Sequence, residues 1–120
     1  MGILTANMLR TMDELALTKH SAALSEELSS QGEQQPERGE DLVRCFKETM
    51  IYCIVAQRMG SDEVEVICRG KAHEFQPEEI IAPLKRMGYR GISYAGASNV
   101  IPRITWRPTK WDKLKGWFGR

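Results

Sequence analysis

The hydrophobic pattern of this chain changes its period near residue 60, and that change limits the folds open to it. Before Gly60, apolar residues recur every three or four positions, which indicates helix. After it, the stretch EVEVICR at residues 63–69 alternates valine with glutamate, which indicates a strand with one buried face. Helical and strand segments in one chain predict the α+β class, and 120 residues form one domain whose core needs no disulfides or metals.

The first segment, residues 5–30, predicts a long helix, because it is rich in Ala, Leu, Met and Glu and contains no Gly or Pro. A capping-box spacing at TMDE, residues 11–14, allows this helix to begin at Thr5 or to restart at Thr11. Its apolar stripe is narrow, so we expect an arm that packs on one neighbour. The following QGEQQPERGE has no apolar residue and predicts a flexible linker that lets the arm swing or swap between copies.

A second helix is predicted over residues 41–59 and ends at Gly60 as a C-cap. Its predicted inward residues follow the i, i+3, i+4 pattern: Leu42, Val43, Phe46, Met50, Cys53, Ile54 and Val55. A third helix begins at Pro77, since Pro suits a first turn, and ends at Gly88. Pro83 lies inside this helix and is expected to kink it. Its predicted apolar face consists of Ile80, Ile81, Leu84 and Met87.

Two strands, GISYAG and VIPRITW, follow and are expected to form an antiparallel hairpin. The strand before the third helix is expected to join them by a right-handed crossover in parallel orientation. The predicted fold is therefore a three-stranded mixed sheet packed by two helices, with one sheet face left open or covered by a partner. Pro102 is expected to restrict the last strand to an edge or a bulge, because it has no N–H to donate.

These elements divide the chain into four parts: an N-terminal helical arm at 1–30, a linker at 31–40, a core at 41–107 and a C-terminal tail at 108–120. The ends carry opposite charge. Residues 1–41 hold three basic and eight acidic side chains, whereas residues 101–120 hold six basic side chains and one acid. This asymmetry suggests either docking within one molecule or head-to-tail contact between copies.

The stretch LKRMGYRG, preceded by PEEIIAP and followed by VIPRITW, resembles a group of small bacteriophage-encoded proteins. Their pattern is a helix running into Leu-x-x-x-Gly-Tyr and a last strand ending in Ile-x-Trp. Here it falls on Leu84, Gly88, Tyr89, Ile104 and Trp106, and the resemblance covers residues 5–106. The linker and the extended tail depart from the pattern. Since the group has no activity to carry over, the resemblance implies a phage context rather than a chemistry.

Residues that could perform chemistry are scattered. His20 and His73 have no Cys, Asp or His at ligand spacing, and Cys45 and Cys53 lie about 12 Å apart along one helix, so no metal site is predicted. Cys68 and His73 are close in sequence, but we expect a packed thiol and a surface imidazole rather than a nucleophile and its base. No glycine-rich stretch has a nucleotide-binding spacing. We therefore expect no enzyme activity and no cofactor.

Targeting signals are also lacking in the printed sequence. The longest apolar run has seven residues, far short of a membrane span, and the first residues resemble neither a signal peptide nor a myristoylation site. Three cysteines in a chain that needs no disulfide are expected to stay reduced. The expected location is a virion or the host cytoplasm.

The C-terminal tail, residues 108–120, combines aromatic and basic residues in KWDKLKGWFGR. A short helix capped at Thr109 would place its apolar residues on one side. The tail could cover the open sheet face or the first helix, dock into another protein, or bind single-stranded nucleic acid or an anionic membrane. The last two are disfavoured by a weak basic footprint. The predicted partner-binding residues are Trp106, Lys110, Trp111, Lys113, Leu114, Trp117 and Phe118.

Three functional hypotheses follow from this layout. The first is a non-enzymatic phage structural or accessory protein, whose arm and tail join it to copies of itself or to other virion proteins. The second is a phage-encoded binder that masks or inhibits a host protein. The third is a small nucleic-acid-binding protein. No membrane partner is expected.

Overall fold

The structure, a computed structural model, describes residues 3–30, 35–95 and 100–108, with the side chains of 93–95 and 100–101 left aside. Within these residues the chain forms four helices and three strands, which confirms the α+β class. In chain order they are α1 (Ala6–Thr11), α2 (Glu14–Ser29), α3 (Arg38–Arg58), β1 (Glu63–Glu65), α4 (Pro77–Arg86), β2 (Arg90–Ala95) and β3 (Val100–Thr105).

The N-terminal helical segment is broken in two. The Thr5 hydroxyl caps α1 by accepting the Met8 N–H at 3.1 Å, as the sequence suggested. Met12 then adopts an extended conformation, and the Asp13 carboxylate caps α2 by accepting the Ala16 N–H at 2.8 Å. The helix therefore restarts at Asp13 rather than at Thr11, because the better-placed cap is the aspartate.

The two N-terminal helices belong to the same hydrophobic core as the rest of the chain. The backbone N–H of Ala6 donates to the Met87 carbonyl at 2.9 Å, which ties the start of α1 to the end of α4. Leu9 is fully buried, and α2 packs along α3 through Leu17 and Leu24. The expected packing on a neighbouring helix is confirmed for α2, but residues 3–30 lie on the core and do not project from it.

The sheet is antiparallel throughout, so the predicted mixed sheet is wrong. Its strand order is β1-β3-β2, with Glu63 opposite Thr105 and Arg90 opposite the same threonine from the other side. The crossover through α4 leaves β1 and β2 parallel to each other, but they are not neighbours. The hairpin strand β3 lies between them and pairs with both, and antiparallel pairing is the slightly more stable arrangement per residue.

Pro102 lies in this central strand, which contradicts its predicted edge or bulge position. It stands opposite Ser93 of β2, and its carbonyl accepts the Val66 N–H at 3.2 Å on the other side. The N–H and C=O of one residue in an antiparallel strand point the same way. The missing N–H therefore faces Val66, just past the end of β1 at Glu65, so proline costs only the last bond of that pairing and none of the β2 ladder.

The helices of the core follow their sequence signals closely. α3 begins three residues earlier than predicted, at Arg38, and ends before Gly60, which adopts φ 85°. α4 has the predicted bounds, with Pro83 inside it and Gly88 at φ 96° just after it. Gly88 also approaches Ala6 so closely that an added Cβ would lie 3.2 Å from the alanine methyl. In the described segments no helix is both long enough and apolar enough to cross a membrane.

The residues that carry the phage-protein resemblance meet in the core. Leu84, Tyr89, Ile104 and Trp106 are all buried, and the Tyr89 ring meets the Trp106 ring edge-on at 6.4 Å. The Tyr89 hydroxyl donates to the Leu4 carbonyl at 2.7 Å. Burial raises the pKa of this phenol, so it stays protonated and keeps donating. The pattern is therefore a packing signal that joins α4, the sheet and the N-terminus.

Candidate functional site

A concave feature among the described residues is a groove between α3 and β1, which we call the α3–β1 groove. The tight turn at Gly60 joins these two elements, so they run side by side in opposite directions. The groove has a volume of 620 Å³, within the range of ligand and peptide pockets. It is lined by Tyr52, Val55, Ala56, Met59, Ser61, Glu63, Val64, Glu65, Ile67 and Arg103.

One wall of the groove is an exposed apolar stripe on α3. Tyr52, Val55 and Met59 recur at i, i+3 and i+7, which places them on one helix face. They are 53%, 40% and 81% exposed, and they are three of the five large apolar side chains exposed in the described residues. The other two, Met8 and Leu15, lie outside the groove. A concave patch of this kind is typical of a surface that binds another chain.

The other wall comes from β1, which is an edge strand of the sheet. Val64 and Ile67 add apolar surface, whereas Glu63 and Glu65 bring negative charge to the groove. The Arg103 guanidinium lies 3.8 Å from the Glu63 carboxylate and balances part of that charge. The groove therefore offers an apolar helix face beside an acidic strand edge.

The chain leaves the described residues at one end of this groove. The backbone N–H of Trp106 and the Thr105 hydroxyl both donate to the Asp62 backbone carbonyl, at 3.2 and 2.7 Å. The Arg107 guanidinium donates two hydrogen bonds to the Asp62 carboxylate, at 2.7 and 3.1 Å. These bonds lower the pKa of that carboxyl. Asp62 directly follows Ser61, so the C-terminal tail starts beside the end of the groove near Met59.

Trp106, predicted as a partner-binding residue, is a core residue instead. Its side chain is 1% exposed, and its indole N–H donates to the Gln57 amide oxygen at 2.7 Å. The Arg10 guanidinium donates a hydrogen bond to the Trp106 backbone carbonyl. The indole is buried because α1, α3 and the sheet enclose an apolar space in which Gln57 accepts its N–H. The other predicted contact residues, Lys110, Trp111, Lys113, Leu114, Trp117 and Phe118, lie outside the described residues.

The groove was not predicted from the sequence. Val55 was expected on the inner face of α3, whereas Tyr52, Val55 and Met59 form an outward stripe of their own with helical spacing. That stripe was the available signal. The outward stripe does not stand out in the sequence, because α3 also carries a complete inward apolar stripe and both faces of the helix look apolar.

A second polar cluster surrounds Asp41, near the start of α3. Its carboxylate is fully buried and accepts the backbone N–H groups of Lys71, Ala72 and His73 at 2.7, 2.9 and 2.7 Å. The imidazole Nδ1 of His73 also lies 2.9 Å from this carboxylate. Burial by itself raises the pKa of Asp41, but these hydrogen bonds outweigh it and lower the pKa to about 2.

This cluster holds the turn formed by residues 69–74 against α3. Arg69 and Glu74 form a β-bridge, and Gly70 packs so closely that an added Cβ would lie 2.3 Å from the Asp41 carboxylate. An ionised carboxylate only accepts hydrogen bonds, so His73 must donate from Nδ1. A carboxylate–imidazole pair can orient a general base, but all four hydrogen bonds here go to one turn, which is a structural use of the carboxylate.

The three cysteines are packed free thiols, as expected from the sequence. Cys45 and Cys53 are fully buried and Cys68 is partly buried, and all three are free thiols. Burial raises the pKa of each, to about 11 for Cys45, so thiolates are scarce near neutral pH. Among the described residues, no group of three His, Cys, Asp or Glu side chains is arranged to hold a metal ion.

Comparisons of the chain with protein-family models, with curated proteins and with solved structures found no match.

Proposed function

We propose that this protein is a non-enzymatic phage structural or accessory protein that binds a protein segment in its α3–β1 groove and so joins a larger particle. The observation that carries the proposal is the exposed stripe of Tyr52, Val55 and Met59 beside the β1 edge. An amphipathic segment laid in such a groove would cover apolar surface that is otherwise in water. The phage context rests on the sequence resemblance.

The structure changes which parts of the chain are suited to assembly contacts. Residues 3–30 contribute Leu4, Leu9, Leu17 and Leu24 to the core, so using these side chains to contact a different protein would cost that burial. The groove and the C-terminal tail are better placed for contacts with partners. The expected partners are protein segments, either from other copies of this chain or from other virion proteins.

Two further observations support this proposal over the other candidates. The buried Asp41–His73 pair, the most enzyme-like feature, is explained by the turn that it holds. The acidic side chains Glu63 and Glu65 at the groove would repel phosphate groups, which disfavours nucleic acid as its ligand.

The proposal is tested by particle incorporation in the phage that encodes the chain. Met59→Glu puts a charge into the groove at an 81% exposed position, so the fold should tolerate it. Leu15→Glu makes the same kind of change on α2, outside the groove, and is the matched control. We expect purified particles to contain the wild type and Leu15→Glu but to lack Met59→Glu.

Two results would contradict this function. Wild-type protein absent from purified particles would exclude a structural role, and a single captured bacterial protein would then favour the host-directed binder. Equal incorporation of both variants would show that the groove is not the assembly surface.

A further inference from the structure

We propose that, in the free protein, the α3–β1 groove is covered by the C-terminal tail of the same chain. The tail would thus compete with an incoming partner segment for the same apolar surface. This inference rests on the proposed function for its consequence, but the tail–groove contact itself can be tested separately.

The C-terminal tail starts at one end of the groove. Arg107 is fixed by its two hydrogen bonds to Asp62, and its carbonyl accepts from Arg90 at 2.9 Å. The tail therefore begins from a fixed point next to Ser61 and Met59, at one end of the groove. Little chain is needed to enter it, because only residues 108–110 separate this anchor from Trp111.

The direction of β3 limits how the tail can reach the groove. β3 runs antiparallel to β1, so the chain passes the end of the groove heading away from it. The four residues Arg107-Pro108-Thr109-Lys110 have Pro at the second position, where a type I or type II turn favours it. A turn at these four residues would send the tail back along the groove, antiparallel to α3.

The tail and the groove carry apolar residues at the same spacing. Trp111, Leu114 and Phe118 stand at i, i+3 and i+7, which is the spacing of Tyr52, Val55 and Met59 on α3. Each set spans about 10 Å along a helix. Two stripes of the same length and period can pack along each other, which is how an amphipathic helix fills a groove. Aromatic rings on the tail would also contact the Met59 sulfur favourably.

The tail and the groove carry opposite charge. Residues 109–120 carry Lys110, Lys113, Lys115 and Arg120 against a single acid, Asp112. The groove side that they would face carries Glu63 and Glu65, with Arg103 as the one basic residue in its lining. Opposite charges flank apolar stripes of the same spacing, so the charges would fix how the tail is aligned along the groove.

The tail of the same chain is preferred over that of a second copy because the connection is so short. A short tether gives an effective concentration on the order of millimolar, well above ordinary protein concentrations. Exchange between copies needs the same contact without that advantage.

The test uses the full chain and amide chemical shifts measured by NMR. Replacing Trp111 and Phe118 by Ala should move the amide signals of residues 52–67 and leave those of α2 unchanged. In the reverse direction, Met59→Glu should move the signals of residues 109–120, while Leu15→Glu, the matched control, should not. The wild type should have a monomer's molar mass by light scattering, and its shifts should not change on dilution.

Three outcomes would overturn the inference. Unchanged groove signals in the Trp111→Ala, Phe118→Ala variant would show that the tail lies elsewhere. Shift changes that disappear on dilution, with a multimeric wild type, would assign the contact to a second copy. Global shift changes in that variant would mean that the tail supports the fold as a whole. None of these results bears on particle incorporation, so the proposed function stands or fails on its own test.

Discussion

At the scale of single residues, Asp41 is a carboxylate buried without losing its charge. Such burial is costly unless several donors converge on the carboxylate, and here three amide groups and one imidazole do so. The residue looked like an ordinary first-turn acid in sequence. Its partners lie thirty or more positions further along, so only the folded chain reveals its role.

We predict that Asp41→Asn destabilises the protein by roughly 3 kcal/mol, because one acceptor oxygen is replaced by an amide that faces buried N–H donors. The measurement is the free energy of unfolding in urea. Asp13→Asn is the matched control, since the same change at an exposed cap keeps the capping oxygen and should have little effect. A loss of similar size in both variants would contradict the assigned role.

Acid stability should depend on the same carboxylate. The pKa of Asp41 falls from 3.8 to about 2 on folding, so between these values the unfolded chain binds more protons than the native one. The free energy of unfolding should therefore be level above about pH 5 and fall as the pH drops towards 2. Asp41 contributes roughly 2 kcal/mol of this fall.

Urea unfolding of wild type and Asp41→Asn across this pH range checks the prediction. The variant should show a shallower decline, although Asp62 and Glu79, whose pKa values are also lowered, keep part of it. Identical pH profiles would mean that Asp41 titrates in the native state as it does in the unfolded chain.

At the scale of secondary-structure elements, local signals were sufficient for α4 and nearly sufficient for α3. Pro77 and the acids after it begin α4, and Gly88 ends it in the left-handed region that glycine adopts most easily. The N-terminal segment was less clear, because a good helical composition conceals the break at Met12. There, two competing caps, Thr11 and Asp13, lie within three residues of each other.

We predict that Asp13→Ala lowers stability by about 1 kcal/mol, since it removes the oxygen that accepts the Ala16 N–H at the start of α2. Thermal or urea unfolding measures the change. Asn7→Ala, at an exposed position inside α1, serves as the control and should be close to neutral or slightly stabilising. If Asp13→Ala were neutral, the break between α1 and α2 would not depend on this cap.

At the scale of the whole molecule, the N-terminal helices and the sheet share one core. We predict that Leu24→Ala destabilises the entire protein by about 2–4 kcal/mol, because Leu24 is fully enclosed between α2 and α3. Circular dichroism and tryptophan fluorescence should report one common unfolding transition.

The matched control is Leu15→Ala, the same substitution at a 65% exposed site on the same helix, which should change stability by less than about 0.5 kcal/mol. Separate transitions for the two probes in Leu24→Ala would instead describe an independent arm, as the sequence analysis expected from the linker at residues 31–40.

The sequence by itself determined the type and approximate bounds of most elements, the α+β class and the glycines that end two helices. These depend on hydrophobic period, caps and backbone preferences, which act over a few residues. Only the tertiary structure decided that β3 lies between β1 and β2, that Trp106 is buried, and that Tyr52, Val55 and Met59 line a groove. Each of these depends on which distant surfaces meet, and contact between residues far apart in sequence leaves no local pattern to recognise.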